Sequence, residues 1–148
     1  MTNDKTADDK IEDSRILVID DEPAILKLMV RILKMEGYVV SRAASGEEGI
    51  SLLKTQKFDL LVVDKNLPGV SGIEVIKHSR TKLPNAAYIV VTGFPSSDSE
   101  HDAFMLGTFD YIIKPFSDIS VLTSAVKKAL KRQQLLSETK SRADKLQS

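Results

Sequence analysis

The chain has 148 residues, of which 42% are apolar and 28% are charged, a composition typical of one globular domain. Its 21 basic and 21 acidic side chains cancel, which argues against direct nucleic-acid binding through bulk positive charge. The absence of cysteine excludes disulfides, thiol nucleophiles and cysteine-ligated metals. No apolar run approaches the roughly 20 residues that cross a bilayer, so we expect no membrane insertion. We expect a cytoplasmic location, with which the absence of cysteine is compatible.

The first 13 residues, MTNDKTADDKIED, differ in composition from the rest of the chain. They contain five acidic and two basic side chains, and Ile11 is their one strongly apolar residue. Such a segment buries too little apolar surface to offset the entropy lost on ordering. We therefore predict a disordered leader over residues 1–13.

From residue 15 onward, short apolar runs alternate with segments of helical periodicity. The apolar runs predict five strands, at residues 15–19, 38–41, 60–63, 88–91 and 111–113. Five helices are predicted between and after them, with these starts: Pro23 in a first turn, Ser45, Ser71 and Ser97 each three residues before a glutamate, and Asp118. The helix that begins near Ser97 is expected to end at Gly107.

This alternation predicts an α/β domain built on a doubly wound, five-stranded parallel sheet. Right-handed crossovers place helices on both faces of such a sheet. With five strands, the expected strand order is 2-1-3-4-5, which is the flavodoxin-like arrangement.

We place the domain at residues 14–132 and predict a C-terminal helical extension or linker over residues 133–148. Residues 127–148 lack glycine and proline and carry seven basic and two acidic side chains, a net charge of +5. The segment is either a solvated helix end or a signalling helix directed toward a partner.

Four of the five predicted strands are followed by side chains that can perform chemistry. Asp20 and Asp21 follow the first strand, Asp64 the third, Thr92 the fourth and Lys114 the fifth. The carboxyl ends of parallel strands share one edge of the sheet, and ligands bind at the crevice where the strand order reverses. We therefore expect the three carboxylates to meet in space.

Three clustered carboxylates repel one another, and a hard divalent cation such as Mg²⁺ relieves the repulsion while leaving coordination positions open for a phosphoryl group. A carboxylate can also act as a nucleophile and form an aspartyl-phosphate. Lys114 would then neutralise charge on the phosphoryl oxygens, and the Thr92 hydroxyl would donate a hydrogen bond to one of them.

Four motifs carry a family resemblance: VIDDEP from Val18, VVDKNLPG from Val62, VVTG from Val90 and DYIIKPF from Asp110. With these motifs in this order, each at a strand end, residues 15–132 resemble the receiver domain of two-component response regulators, the chemotaxis-regulator-like superfamily. The resemblance implies a phosphorylation-dependent switch rather than a turnover enzyme. The implied phosphoryl donor is a sensor histidine kinase or a phosphotransfer protein.

The resemblance also implies a role for each matching position. Asp64 would be the phospho-acceptor, and Asp21 would bind Mg²⁺ directly with help from Asp20. The backbone carbonyl of Asn66 would be a further metal ligand. Three other positions complete the implied site: Lys114 as the phosphoryl contact, Thr92 as the switch hydroxyl and Tyr111 as the switch aromatic.

The resemblance further implies a cis peptide bond before Pro115 and an output face formed by the fourth predicted helix, the fifth strand and the fifth predicted helix. A homodimer through this face and the C-terminal helix is a further expectation.

The sequence also bears on other classes of function. The glycine spacing contains neither a dinucleotide-binding fingerprint nor a P-loop, which excludes those nucleotide-binding classes. A small phosphatase with an aspartate nucleophile remains an alternative, as does a degenerate receiver that acts only in docking or dimerisation.

Overall fold

A computed structural model describes residues 13–93, 110–114 and 118–147, with side chains described as far as residue 136. The leader as far as residue 12, the helix predicted to begin near Ser97 and the peptide bond before Pro115 lie outside the described residues. Within the described parts of the chain, no helix combines the length and the apolar character needed to span a membrane.

Five parallel strands form one sheet, as predicted. They are β1 (Arg15–Ile19), β2 (Val39–Ala43), β3 (Leu60–Asp64), β4 (Ala87–Thr92) and β5 (Asp110–Ile113), in the order β2-β1-β3-β4-β5. The first strand has its predicted bounds. The second begins one residue later than predicted because Tyr38, although buried, donates its backbone N–H to the carbonyl of Leu33 in the preceding helix.

The described residues form four helices: α1 (Pro23–Met35), α2 (Gly46–Thr55), α3 (Gly72–Lys82) and α4 (Ile119–Gln147). The predicted caps of α2 and α3 are confirmed. Ser45 Oγ accepts a hydrogen bond from the Glu48 N–H at 3.1 Å, and Ser71 Oγ accepts one from the Glu74 N–H at 3.2 Å. The helix α4 continues from the domain into the predicted C-terminal extension and runs without interruption as far as Gln147.

The core consists of two apolar layers, one on each face of the sheet. α1 and α4 pack on one face through residues such as Met29 and Leu122, and α2 and α3 pack on the other through residues such as Leu53 and Ile76. All of β3 is buried, as expected for a central parallel strand covered on both sides. Asp64 is therefore the last residue of the buried central strand.

A close backbone contact fixes the segment that follows Asp64. The N–H of Gly72, at the start of α3, donates to the carbonyl of Lys65 at 3.1 Å. A Cβ atom at position 72 would overlap the backbone carbonyl of Asp64 and crowd Lys65. Glycine is therefore required here by close approach rather than by an unusual φ angle.

This contact predicts that Gly72→Ala destabilises the fold by about 1–3 kcal/mol, the usual cost of forcing extra atoms into a packed site. Urea denaturation of the two proteins measures the difference in the free energy of unfolding. Gly93→Ala is the matched control, since a Cβ there would lie 3.9 Å from Lys114 Cβ, an ordinary contact. Equal stabilities of the two variants would contradict the assignment.

Candidate functional site

The carboxyl ends of β1, β3, β4 and β5 bring the predicted site residues to one edge of the sheet. Asp20, directly after β1, and Asp64, the last residue of β3, are buried, whereas Asp21 is exposed. Thr92 at the end of β4 is fully buried, and Lys114 after β5 is 8% exposed. The three carboxylates meet in space as expected, and Thr92 and Lys114 lie at the ends of the neighbouring strands β4 and β5, at the same edge of the sheet.

Lys114 lies at the centre of this arrangement. Its Nζ is 2.7 Å from Asp20 Oδ2, 3.2 Å from Asp64 Oδ2 and 3.2 Å from Glu22 Oε1. Its backbone N–H donates to the carbonyl of Thr92 at 2.7 Å. Lys114 therefore joins the end of β5 to the ends of β1 and β3 through ion pairs, and to the end of β4 through a backbone hydrogen bond.

The surrounding carboxylates hold Lys114 in its charged form. Burial acts to lower the pKa of this lysine, but the hydrogen bond and charge of Asp20, the charge of Asp64 and the hydrogen bond to Glu22 outweigh it. The pKa of Lys114 therefore lies above its ordinary value of 10.5, and the side chain is an ammonium at neutral pH.

One ammonium does not balance the acidic side chains around it. Carboxylate oxygens of Asp20, Asp21 and Asp64 lie within 4.8 Å of one another, and Glu22 adds a fourth carboxylate. In the described part of the chain, Lys114 is the one cation within ion-pair distance of these groups. A group of all-oxygen ligands with excess negative charge fits Mg²⁺, which is commonly bound by one or two carboxylates.

Two backbone hydrogen bonds orient the buried carboxylates. Asp20 Oδ1 accepts from the Glu22 N–H at 2.9 Å, and Asp64 Oδ1 accepts from the Asn66 N–H at 3.0 Å. Each acid thus has one oxygen fixed by the chain two residues ahead, while the other oxygen faces Lys114. The carboxylates are oriented before any ligand arrives.

The Asn66 side chain makes a contact that sequence reasoning missed. Its Nδ2 donates to the Thr92 hydroxyl at 2.8 Å, which joins the segment after β3 to the end of β4. The sequence predicted a role only for the backbone carbonyl of Asn66. Glu22 was missed as well, although it directly follows the Asp20-Asp21 pair in the sequence.

Tyr111 is the second residue of β5 and is paired with Val90 of β4. Its side chain is half-buried and packs against the apolar layer formed with α2 and α3. Its hydroxyl is buried and has no hydrogen-bond partner among the described residues. Leaving a buried hydroxyl unpaired costs about 1–3 kcal/mol, which disfavours this position of the ring.

Comparison with known proteins agrees with this geometry. Residues 16–127 match the response regulator receiver domain family, so the chain belongs to that family. Receiver domains are regulatory switches of two-component systems; they bind Mg²⁺ at an acidic pocket and interact with histidine kinases or phosphotransfer proteins.

Two curated relatives illustrate the range of the family. The chain is 36% identical over 132 residues to the transcriptional regulatory protein YvrH of Bacillus subtilis, covering 88% of this chain and 55% of YvrH. It is 32% identical over 116 residues to sporulation initiation phosphotransferase F of the same organism, covering 78% of this chain and 93% of that protein. The chain spans about half, or less, of the length of the transcriptional regulators that it matches.

A solved structure of a response regulator shares the fold. The response regulator TrrA of Thermotoga maritima, in complex with Mg²⁺ and BeF, is 34% identical, with a TM-score of 0.70. The match covers 78% of this chain and 98% of the TrrA chain.

The acidic cluster predicts that Mg²⁺ stabilises the folded protein. At about 100 times the dissociation constant, a ligand that binds only the native state adds about 2.7 kcal/mol to the free energy of unfolding. Asp21→Asn removes the exposed carboxylate, leaves the buried ion pairs intact and should abolish most of this increase. Thermal unfolding with and without Mg²⁺ measures both effects.

The matched control for this experiment is Glu36→Gln. Glu36 is an exposed acid at the far end of α1, away from the cluster, so this variant should keep the full Mg²⁺ response. An Asp21→Asn variant that responds to Mg²⁺ as strongly as the unmodified protein would contradict the assignment of the site.

Proposed function

We propose that the protein is the phosphate-accepting switch of a two-component phosphorelay and that Asp64 is the acceptor. The observation that carries this proposal is the contact of Asp64 Oδ2 with Lys114 Nζ at 3.2 Å, inside a cluster that also holds Asp20 and Asp21. A buried carboxylate with a fixed ammonium beside it is suited to form an acyl phosphate. The donor would be a phosphohistidine on a sensor kinase or a phosphotransfer protein.

In the proposed transfer, an oxygen of the Asp64 carboxylate attacks the phosphorus atom of the donor. A P–O bond to Asp64 forms as the P–N bond to the donor imidazole breaks, and the imidazole leaves with the electron pair and takes up a proton. Lys114 neutralises charge on the phosphoryl oxygens, and the Thr92 hydroxyl donates to one of them. The burial of Asp64 and Thr92 limits access of water to the bond that forms.

Mg²⁺ would be held by the carboxylates of Asp20, Asp21 and Asp64 and by the backbone carbonyl of Asn66. When bound, the cation supplies positive charge to the phosphoryl oxygens. The orientation of Asp20 and Asp64 by the N–H groups of Glu22 and Asn66 supports this assignment, because it reduces the reorganisation that binding requires.

The proposed switch uses Thr92 and Tyr111. A phosphoryl group on Asp64 would accept a hydrogen bond from the Thr92 O–H, while the Thr92 oxygen can still accept from Asn66 Nδ2. A shift of Thr92 toward the phosphoryl group would change the space available to Tyr111. Because the Tyr111 hydroxyl is buried without a partner among the described residues, a modest change in packing would favour a second position of the ring. The output face would comprise β5, α4 and the predicted helix outside the described residues, and a homodimer could form through it.

Phosphate would be lost again by hydrolysis that the same site assists. A receiver of this kind takes up one phosphoryl group per chain, whereas a phosphatase with an aspartate nucleophile turns over many phosphomonoesters. The family match favours the first behaviour. The acidic cluster and its lysine also favour a phosphorylated switch over a receiver that serves only in docking.

Asp64→Asn tests the proposal, because an amide cannot form an acyl phosphate. We expect the unmodified protein with Mg²⁺ and acetyl phosphate to gain the mass of one phosphoryl group, removable by hydroxylamine, and the variant to gain none. Asp59→Asn is the control, since Asp59 lies at the opposite end of β3, where its Oδ2 accepts from the Arg15 N–H. Full labelling of Asp64→Asn would place the acceptor elsewhere.

A further inference from the structure

A shallow, open groove of about 420 Å³ lies between α1 and the edge strand β2. It is lined by six residues: Lys27, Val30, Arg31, Lys34, Met35 and Arg42. The three cations of α1 follow at spacings of four and three residues, so they form one stripe along the helix. Arg42 adds a fourth cation from β2, on the side of the strand where Val40 packs against the core beneath α1.

The four cations of this groove lack acidic partners. Among the described residues, no carboxylate lies within ion-pair distance of Lys27, Arg31, Lys34 or Arg42. Like charges at i, i+4 positions of a helix destabilise it, so the stripe is unfavourable unless an anionic group approaches. The apolar part of the lining also remains accessible, since Met35 is 79% exposed. The groove therefore suits an acidic segment that carries an apolar side chain.

We propose that the acidic N-terminal segment of this same chain, residues 1–12, binds in this groove. With Asp13, the segment has five acidic and two basic side chains, a net charge of −3, in a chain whose total charge is zero. Its one strongly apolar residue, Ile11, lies between Lys10 and Glu12, and Asp8 and Asp9 come just before Lys10. This pattern complements a cationic stripe beside Met35.

The chain enters the fold next to the groove. The carbonyl of Ser14 accepts a hydrogen bond from the Val39 N–H at 3.0 Å, at the start of β2, and Arg15 pairs with Val39 in the sheet. Arg42 follows three residues later on the same strand, about 10 Å away at 3.3 Å per residue. α1 runs antiparallel to β1, back toward the edge of the sheet where β1 and β2 begin. Lys34 and Met35, at the end of α1, therefore lie near the point where the N-terminal segment joins the fold.

The length of the segment is sufficient for this binding. Twelve extended residues span at most about 40 Å, whereas the helical stripe from Lys27 to Lys34 covers about 10 Å at 1.5 Å per residue. A short tether also keeps a segment at an effective concentration of the order of millimolar, so weak contacts between exposed charges suffice. The interaction is electrostatic and should disappear when salt screens the charges.

Backbone amide NMR spectra of the full chain and of a chain lacking residues 1–12 test the proposal. In about 10 mM salt, where the screening length is about 30 Å, we expect deletion to shift the signals of Lys27, Arg31, Lys34 and Arg42. In about 1 M salt, where that length is about 3 Å, the two spectra should agree at these positions. The signals of Lys77 and Lys82, on α3 at the opposite face of the sheet, should not move in either case.

Two charge variants in the full chain distinguish complementarity from a general effect of the segment. The triple variant Asp8→Asn, Asp9→Asn and Glu12→Gln neutralises three acids of the segment. Its groove signals should match those of the chain that lacks residues 1–12. The matched control, Lys5→Gln with Lys10→Gln, should leave the groove signals shifted as in the unmodified protein. Identical groove signals with and without the segment in low salt would overturn the proposal. Shifts that grow with protein concentration would also overturn it, because they would show that a second copy fills the groove.

Discussion

The structure depends on one ammonium group placed among several carboxylates at the edge of a parallel sheet. Lys114 Nζ is held by Asp20, Glu22 and Asp64, which come from the ends of two strands and the start of a helix. Removing one partner of a buried charge pair usually costs about 3–5 kcal/mol, so this contact constrains the strands that supply it. Yet the acids outnumber the lysine. The site therefore has excess negative charge, which favours a cation. In the proposed function, that cation and Lys114 together offset the negative charge of a phosphoryl group.

The remainder of the fold keeps these acidic side chains close to one another. Asp64 is the last residue of the fully buried strand β3, which fixes its position. The close approach of Gly72 fixes the backbone just beyond it. Hydrogen bonds from the N–H groups of Glu22 and Asn66 orient the two buried acids. An unassembled chain would not keep like charges together, so the energy that holds them comes from the apolar layers on both faces of the sheet.

The features that sequence analysis predicted correctly are those with local or periodic causes. The caps at Ser45 and Ser71 depend on residues three positions apart, and the buried strand before Asp64 is an unbroken apolar run. The convergence of Asp20, Asp64 and Lys114 followed from strand order alone, because parallel strands end at the same edge. The residues at the ends of those strands could therefore be named in advance.

The contacts that sequence analysis missed depend on distances that no spacing encodes. Glu22 reaches Lys114 across 92 positions, and the Asn66 amide reaches Thr92 across 26. Both contacts are set by side-chain direction in the folded chain. The Asn66 amide donates to the Thr92 oxygen, so this contact orients the hydroxyl and leaves its O–H available as a donor.

Paramagnetic relaxation by Mn²⁺, used in place of Mg²⁺, tests the central claim most directly. If the unbalanced acids form the cation site, substoichiometric Mn²⁺ should broaden the backbone amide signals of residues 20–22 and 64–66 first. Signals at the opposite edge of the sheet, such as those of Arg15 and Asp59, should stay sharp. Broadening that spreads evenly over the acidic residues of the surface, or that spares residues 20–22 and 64–66, would contradict the account.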